Sequence, residues 1–174
     1  AIFDQAGAMI VVINVADPAN PDHLTSGGLD PANIALSDVI GGIDGVTGQY
    51  KGVQALLAAN TEVHVTPRIL IAPGFTHDTP EGLANPVVSE LLGIAESLRA
   101  VIIADLPNTN ETDAINYAGD FGSARVYAVY PWVKVYDVAT DSIKEEPSSA
   151  RVAGLIVKSD NDRGFWWSPS NLVI

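Results

Sequence analysis

The chain has 174 residues, 47% hydrophobic and 17% charged, which is enough apolar material for one folded domain and too much for a disordered segment. It has no run of about 20 apolar residues, so we expect no membrane span, and it has no cysteine, which excludes disulfides, thiolate catalysis and cysteine zinc sites. A net charge of −12, with nine scattered Lys and Arg residues, argues against nucleic acid as a partner.

The first half of the chain predicts one strand, two turn-rich stretches and one helix. Met9–Val15 is a β-branched apolar run, typical of a strand covered on both faces. Residues 17–38 are rich in Pro, Gly, Asn and Asp, which predicts a loop-rich excursion, and Gly27 is one of its turn formers. A second turn-rich stretch covers residues 41–48, and Tyr50–Asn60 has helical composition.

The middle of the chain alternates apolar strands with amphipathic helices. Three short apolar runs predict strands: Arg68–Ala72, Ala100–Ala104 and Ala124–Tyr130. Asn85-Pro86 suits a helix start, and four apolar residues then recur on one face: Val87, Leu91, Ile94 and Leu98. Thr109 or Asn110 is expected to cap a short helix that runs to Ala118.

The last part of the chain predicts a hairpin and a final helix. Residues 132–136 alternate in polarity, residues 137–142 form a turn, and Ile143 begins a return strand. Ser148 or Ser149 is expected to cap the helix that follows. The whole pattern predicts an α/β fold: a mainly parallel sheet flanked by helices, with a late β-hairpin, in one domain spanning residues 1–174.

Residue patterns of known catalysts are missing. His23, His64 and His77 do not have metal-ligand spacing, and His23 and His77 are expected to be solvated loop histidines. The glycines at 42, 45 and 48 fit turn geometry better than a phosphate-binding loop. We therefore expect no catalytic, cofactor-binding or metal-binding residues, and no cofactor.

Three further segments have a structural interpretation that is simpler than a functional one. Residues 160–162 begin like a calcium loop but lack its closing Glu, so they are expected to end a helix. Residues 110–112 match a glycosylation sequon but are better explained as a helix start. Trp166 and Trp167 are expected to pack onto the domain or a neighbour, since Arg163 is the one basic residue near them.

Two motifs carry a family resemblance. Residues 39–57, with Gly48-Gln-Tyr-Lys-Gly-Val53, lead into Thr66-Pro-Arg-Ile-Leu-Ile-Ala-Pro-Gly74, and Gly164-Phe-Trp-Trp-Ser-Pro-Ser-Asn171 comes near the end. This order of motifs resembles the central core of contractile phage tail sheath proteins. The resemblance is strong from Val39 onward and looser before that.

The resemblance implies a structural role. It implies a subunit of a helical sheath around the tail tube, whose contraction drives the tube through the host envelope, with other sheath subunits, the tube and the baseplate as partners. It places the protein in the virion tail, after assembly in the host cytoplasm. Family chains carry N- and C-terminal extensions that link subunits; the present chain starts at Ala1 without a signal-peptide pattern and lacks them, so we expect a monomeric core fragment.

Alternatives remain open at this point. A small α/β enzyme or nucleotide-binding domain would have its site at the carboxyl ends of the strands, where Gly74 and Asp105 are expected. The core motifs also fit a bacteriocin-like particle or a secretion sheath, although they favour a tail-type sheath.

Overall fold

The computed structural model describes residues 1–25, 28–78 and 80–174. The helices are α1 (Ile2–Gln5), α2 (Leu36–Ile40), α3 (Ala59–Val63), α4 (Pro86–Leu98), α5 (Glu111–Gly119) and α6 (Ser149–Arg163), with 3₁₀ turns at Pro21–His23, Pro31–Asn33, Gly52–Ala58 and Pro80–Gly82. The strands are β1 (Leu24–Thr25), β2 (Gly28–Leu29), β3 (Gly42–Ile43), β4 (Tyr50–Lys51), β5 (Ile69–Ile71), β6 (Val101–Asp105), β7 (Val126–Val129), β8 (Val133–Asp137) and β9 (Ser142–Glu146). Gly27 of the predicted excursion lies outside the described residues.

The centre of the molecule is a parallel sheet with the strand order β5-β6-β7. Side chains alternate across it, so Leu70 and Ile102 face α4 while Ile103 faces α6 and α1. Both faces are therefore covered, which explains why these strands are apolar at successive positions. The predicted α/β class is confirmed.

The helix α4 follows its sequence signals closely. Asn85 is fully buried at the N-cap, and its Oδ1 accepts hydrogen bonds from the N–H groups of Val87 (2.9 Å) and Val88 (3.1 Å). Pro86 occupies the first helical position, where the missing N–H has no partner to lose. Leu91 and Ile94 are buried in the stripe that faces the sheet, and burial of each side chain contributes about 1.5–3 kcal/mol.

The late hairpin is also confirmed. Strands β8 and β9 pair antiparallel, with Tyr136 opposite Ile143. Of the two proposed caps for α5, the structure selects Asn110, whose Oδ1 accepts from the Asp113 N–H at 2.9 Å.

Two predicted elements differ in the structure. Met9–Val15 forms no strand, and Met9 and Val12 are each 80% exposed, because the run pairs with no other strand in the described chain. The predicted helix Tyr50–Asn60 begins only at Gly52 and is first a 3₁₀ helix, continuing as α3. Tyr50 and Lys51 are instead drawn into β4, which pairs with β3.

Candidate functional site

The carboxyl end of the sheet is where an α/β enzyme would hold its ligand, and here it is occupied by structural contacts. The Asp105 carboxylate, fully buried at the end of β6, accepts hydrogen bonds from the N–H of Ser149 (2.8 Å) and from its hydroxyl. It thereby caps α6 from another element. Burial raises the pKa of Asp105, and the bonds from Ser149 and the backbone of Ser148 oppose that rise.

The prediction for the start of α6 needs a correction. Ser148 does occupy the N-cap position, but its side chain makes no capping hydrogen bond. The capping acceptor is Asp105, 44 residues earlier in the chain. No sequence-local signal could have revealed this, because capping patterns are read over three or four residues.

Thr76 and Tyr117 complete this end of the sheet. The fully buried Thr76 accepts the Asp105 N–H at its Oγ1 (2.9 Å), and its carbonyl accepts from the Tyr117 hydroxyl. Burial raises the pKa of Tyr117 well above its ordinary value. Asp105, proposed as a ligand residue in the enzyme alternative, is thus occupied by Ser149, while Gly74 lies exposed in the turn after β5.

A cavity of about 340 Å³ lies near this end of the sheet. Its ionisable residues are Asp113, Tyr117 and Asp120. The Asp113 carboxylate already accepts from Thr109 Oγ1 and Asn110 Nδ2, each at 2.7 Å. These residues form a helix start rather than a nucleophile paired with a base.

The three histidines are dispersed. His23 was expected to be solvated but is only 3% exposed: its Nδ1 accepts the Asp17 N–H at 3.0 Å, and its Nε2 lies 3.2 Å from Asp38 Oδ2. The excursion curls over the ring, which explains the burial. His77 is half-buried, with its ring edge against Trp132 at a centroid distance of 4.9 Å, and His64 is exposed.

The glycine-rich stretch forms a hairpin turn between β3 and β4, as the turn interpretation predicted. Asp44 Oδ1 accepts from the N–H groups of Val46 (2.9 Å) and Thr47 (2.8 Å), and its Oδ2 lies 2.6 Å from Lys51 Nζ. The Lys51 ammonium and these hydrogen bonds hold the pKa of Asp44 far below its ordinary value. The Asp44 carboxylate thus occupies the inside of the turn, so this loop does not present its N–H groups to a phosphate.

The segments that resemble calcium-loop and glycosylation motifs lie at helix ends. In the part of the chain that the structure describes, no three His, Cys, Asp or Glu residues cluster as metal ligands. Residues 160–162 lie in the last turn of α6, which ends at Gly164 with φ 93°. Residues 110–112 begin α5. None of the helices in the described ranges is long and apolar enough for a bilayer crossing.

Among the exposed apolar side chains, two groups lie on the hairpin and after α6. On the hairpin, Tyr136 is 58% and Ile143 69% exposed, and they stand directly opposite each other. After α6, Trp166 is 72% and Trp167 56% exposed. The tryptophans are thus largely exposed, although the Trp166 ring lies against Gly164, and packing onto a neighbour stays a prediction.

Basic charge is largely used internally. Five of the nine Lys and Arg residues lie within ion-pair distance of carboxylates: Lys51, Arg125, Lys134, Lys144 and Arg151. A phosphate backbone is bound by clustered cations that are free to contact it.

Comparison with known proteins gives a consistent family. The model of the phage tail sheath protein central domain matches residues 48–174. A putative prophage major tail sheath protein of Pseudomonas aeruginosa (strain UCBPP-PA14) is 38% identical over 98% of the chain and 40% of that protein. The tail sheath protein of Burkholderia phage BcepMu is 36% identical over 82% of the chain and 30% of that protein, and that of Escherichia phage P2 is 30% identical over 99% and 40%.

The matched region begins at Gly48 and ends after the Ser-Pro-Ser-Asn segment. It therefore contains the first motif from Gly48 onward, without residues 39–47, and the whole of the second motif. The chain spans about 40% or less of the length of these relatives. Tail sheath proteins are structural rather than enzymatic, so the prediction of a structural chain over an enzyme is confirmed at the level of the family. The chain belongs to the phage tail sheath family, and the model of that family's central domain matches residues 48–174.

Proposed function

We propose that this chain is the stiff core of a contractile tail sheath subunit, which forms a helical array around the inner tail tube. The observation that carries the proposal is the match to the sheath central domain over residues 48–174. The relatives are named as tail sheath proteins of phages or a prophage, which favours a tail-type sheath over a secretion sheath. The protein then resides in the virion tail, after assembly in the host cytoplasm.

Residues 1–174 act as one core domain in this proposal, with residues 17–38 as a surface excursion. His23 holds the two ends of the excursion together, since it contacts the backbone of Asp17 and the carboxylate of Asp38. Asp38 belongs to α2, which packs against α4. These contacts support a fixed shape for the excursion rather than a separate domain.

Contraction in such an array is a rearrangement of subunits that keep their fold. A helical array requires heterologous contacts that do not close into a ring. The core must therefore transmit force without deforming, and a sheet covered on both faces, with Asn85 and Asp105 as buried caps, suits that task.

Neighbouring subunits, the tube and the baseplate are the proposed partners. The exposed pair Tyr136 and Ile143, and the exposed Trp166 and Trp167, supply apolar area for such contacts. The net charge of −12 and the internal use of most basic side chains support protein partners over nucleic acid. No cofactor and no membrane take part in this proposal.

The test compares the protein in the length that its gene encodes with the 174-residue chain alone. Light scattering and negative-stain electron microscopy are expected to show tubes for the former and a monomer for the latter. A gene-length protein that stays monomeric at high concentration, with or without purified tail tubes, would contradict the sheath function.

A further inference from the structure

A cavity of about 350 Å³ is lined by residues 9–11, the start of the apolar run Met9–Val15, and by the edge of the parallel sheet. Met9, Ile10 and Val11 form one part of its wall, and β5 forms another. The cavity is floored on one face of the sheet by Ala153 and Val157 of α6 and on the other by Leu56. A segment that fills the cavity would therefore be covered on both faces, as an interior strand of a sheet is.

The wall formed by β5 has free hydrogen-bonding groups. β5 is the edge strand of the sheet in the described part of the chain. The Arg68 carbonyl accepts from the Val101 N–H, so Arg68 faces β6. Because successive residues of a strand point their backbone groups to opposite sides, the N–H and C=O of Ile69 and Ile71 face the cavity. Unpaired groups of this kind are a template for another strand.

The opposite wall belongs to the run Met9–Val15, which has the composition of an interior strand but pairs with no strand in the described chain. Residues 9–13 of the run are apolar at successive positions, four of them β-branched, and Asn14 is its one polar residue, yet Met9 and Val12 are 80% exposed. Such a run is stable only when strands cover its edges and helices its faces. Its exposure indicates that a neighbouring strand is missing, and the cavity is where that strand would lie.

Sheet topology gives the same answer. Doubly wound sheets commonly have the order 2-1-3-4-5, in which the first strand lies between the second and the third. If Met9–Val15 is the second strand, then β5, β6 and β7 are the third, fourth and fifth, which agrees with their observed order and parallel pairing. The vacant position is that of the first strand.

We propose that this cavity receives one parallel, continuously apolar β-strand from the same sheath polypeptide, outside these 174 residues. The relatives are long enough to supply it, since the chain spans about 40% or less of their length. The inserted strand hydrogen-bonds Ile69 and Ile71 on one side and residues 9–11, the start of the run, on the other. It makes the run a strand and turns three parallel strands into five.

Engineered cysteines test the spacing in dilute gene-length protein before it assembles, so the result does not depend on tube formation. These 174 residues hold no cysteine, and any elsewhere are changed to Ser. We combine Ile69→Cys with Ile10→Cys or, in a second variant, with Val11→Cys. An intervening strand puts the two backbones about 10 Å apart, beyond the Cα separation of about 4.4–6.8 Å that a disulfide needs.

The expected result is little disulfide under oxidation and efficient bridging by a bis-maleimide that spans about two strand spacings. The positive control is Tyr136→Cys with Ile143→Cys, a directly opposed pair that is expected to oxidise. Rapid disulfide formation in either Ile69 variant would show direct pairing of the run with β5 and overturn the proposal. Failure of the long linker would overturn it too, by placing the run elsewhere.

A photo-crosslinking amino acid in place of Met9 identifies the occupant. The expected product has the mass of one chain, and peptide mapping joins residue 9 to an apolar segment outside residues 1–174. A product with the mass of two chains would assign the strand to a second copy. A crosslink from position 9 to another residue within 1–174 would show that no inserted strand lies there. Either outcome overturns the proposal.

Discussion

Single side chains show how strongly this fold depends on contacts between distant residues. Asp105 ends one strand and caps a helix that begins 44 residues later. The same carboxylate would be a ligand candidate in an enzyme of this class, but both of its oxygens accept from Ser149. A residue type at a strand end therefore does not establish a function until its partner is known.

The buried carboxylate predicts a pH-dependent stability difference. Because burial raises the folded-state pKa of Asp105 above its ordinary 3.8, the folded state binds the proton more tightly than the unfolded state. The contribution is fully present below that ordinary value and is lost as pH rises through the raised pKa. We therefore expect the free energy of unfolding of the wild type, minus that of Asp105→Asn, to fall across this window.

Urea denaturation of both proteins at a series of pH values measures this difference. Subtracting the two free energies of unfolding cancels the contributions of the carboxylates that both proteins share. One of these is Asp137, whose pKa is lowered to about 2, so its contribution to stability changes with pH in the direction opposite to that of Asp105. A difference that rises with pH would show that the bonds from Ser149 outweigh burial.

Two glycines predict a steric effect with an internal control. A Cβ at Gly41 would lie 2.1 Å from the Lys51 carbonyl oxygen, and a Cβ at Gly52 would lie 2.4 Å from that of Val39. Both residues also have positive φ, 68° and 59°, which strains any side chain. Gly41→Ala and Gly52→Ala are each expected to lower the free energy of unfolding by about 3 kcal/mol. Gly45→Ala meets nothing within 4 Å and is expected to change it by less than about 0.5 kcal/mol.

Urea titration of the three glycine variants measures these effects. Equal losses for Gly41→Ala and Gly45→Ala would contradict the close approach of the two backbone segments.

The helices α4 and α5 begin in different surroundings. The caps of α4 and α5 are both Asn, but Asn85 is fully buried and its Nδ2 also donates to the carbonyls of Phe75 (3.0 Å) and Asp78 (2.9 Å). Asn110 is exposed, and its Oδ1 accepts one backbone hydrogen bond, from the Asp113 N–H. The same residue type thus has two energetic roles, set by the surroundings of each helix start.

This contrast predicts two different costs. Asn110→Ala is expected to lower the free energy of unfolding by about 1 kcal/mol through loss of a cap. Asn85→Ala is expected to lower it by about 3 kcal/mol, because it removes a cap from a fully buried position and also the part-buried hydrogen bonds to the carbonyls of Phe75 and Asp78. Chemical denaturation of the two variants under the same conditions compares them directly, and equal values would mean that water reaches the carbonyls of Phe75 and Asp78.

The exposed apolar pair of the β8–β9 hairpin lies apart from the buried core. The core lies between the sheet and helices α4 and α6, while the exposed apolar pair of the hairpin stands apart from it. Stability and assembly can therefore be changed separately, as a subunit that keeps its fold during contraction requires.

This separation predicts an assembly defect without unfolding. In the gene-length protein, the double variant Tyr136→Ser with Ile143→Ser is expected to reduce tube formation strongly. Its melting temperature should hardly change, since an exposed cross-strand pair contributes about 0.2–1 kcal/mol. Electron microscopy and calorimetry give the two readouts. Ile115→Ser, at a side chain that is 63% exposed on α5, is the control for general loss of apolar surface. Normal tubes from the hairpin variant would show that β8 and β9 do not contribute to the contacts between subunits.

The sequence by itself determined the features that depend on neighbouring residues. Local patterns suffice for the start of α4 at Asn85-Pro86, the three parallel strands and the β8–β9 hairpin, since helix caps, strand polarity and turns are encoded within a few positions. The two motifs also identified the sheath family, and no catalytic pattern competed with them.

Only the tertiary structure decided what depends on distant partners. It buried His23, which composition alone places in a solvated loop, and it gave the cap of α6 to Asp105. It also left Met9–Val15 unpaired, although the run has the composition of an interior strand. The physical reason is the same in each case: burial, helix capping across the sheet and strand pairing are set by which segments meet in space, and a strand's composition cannot form a ladder without its neighbour.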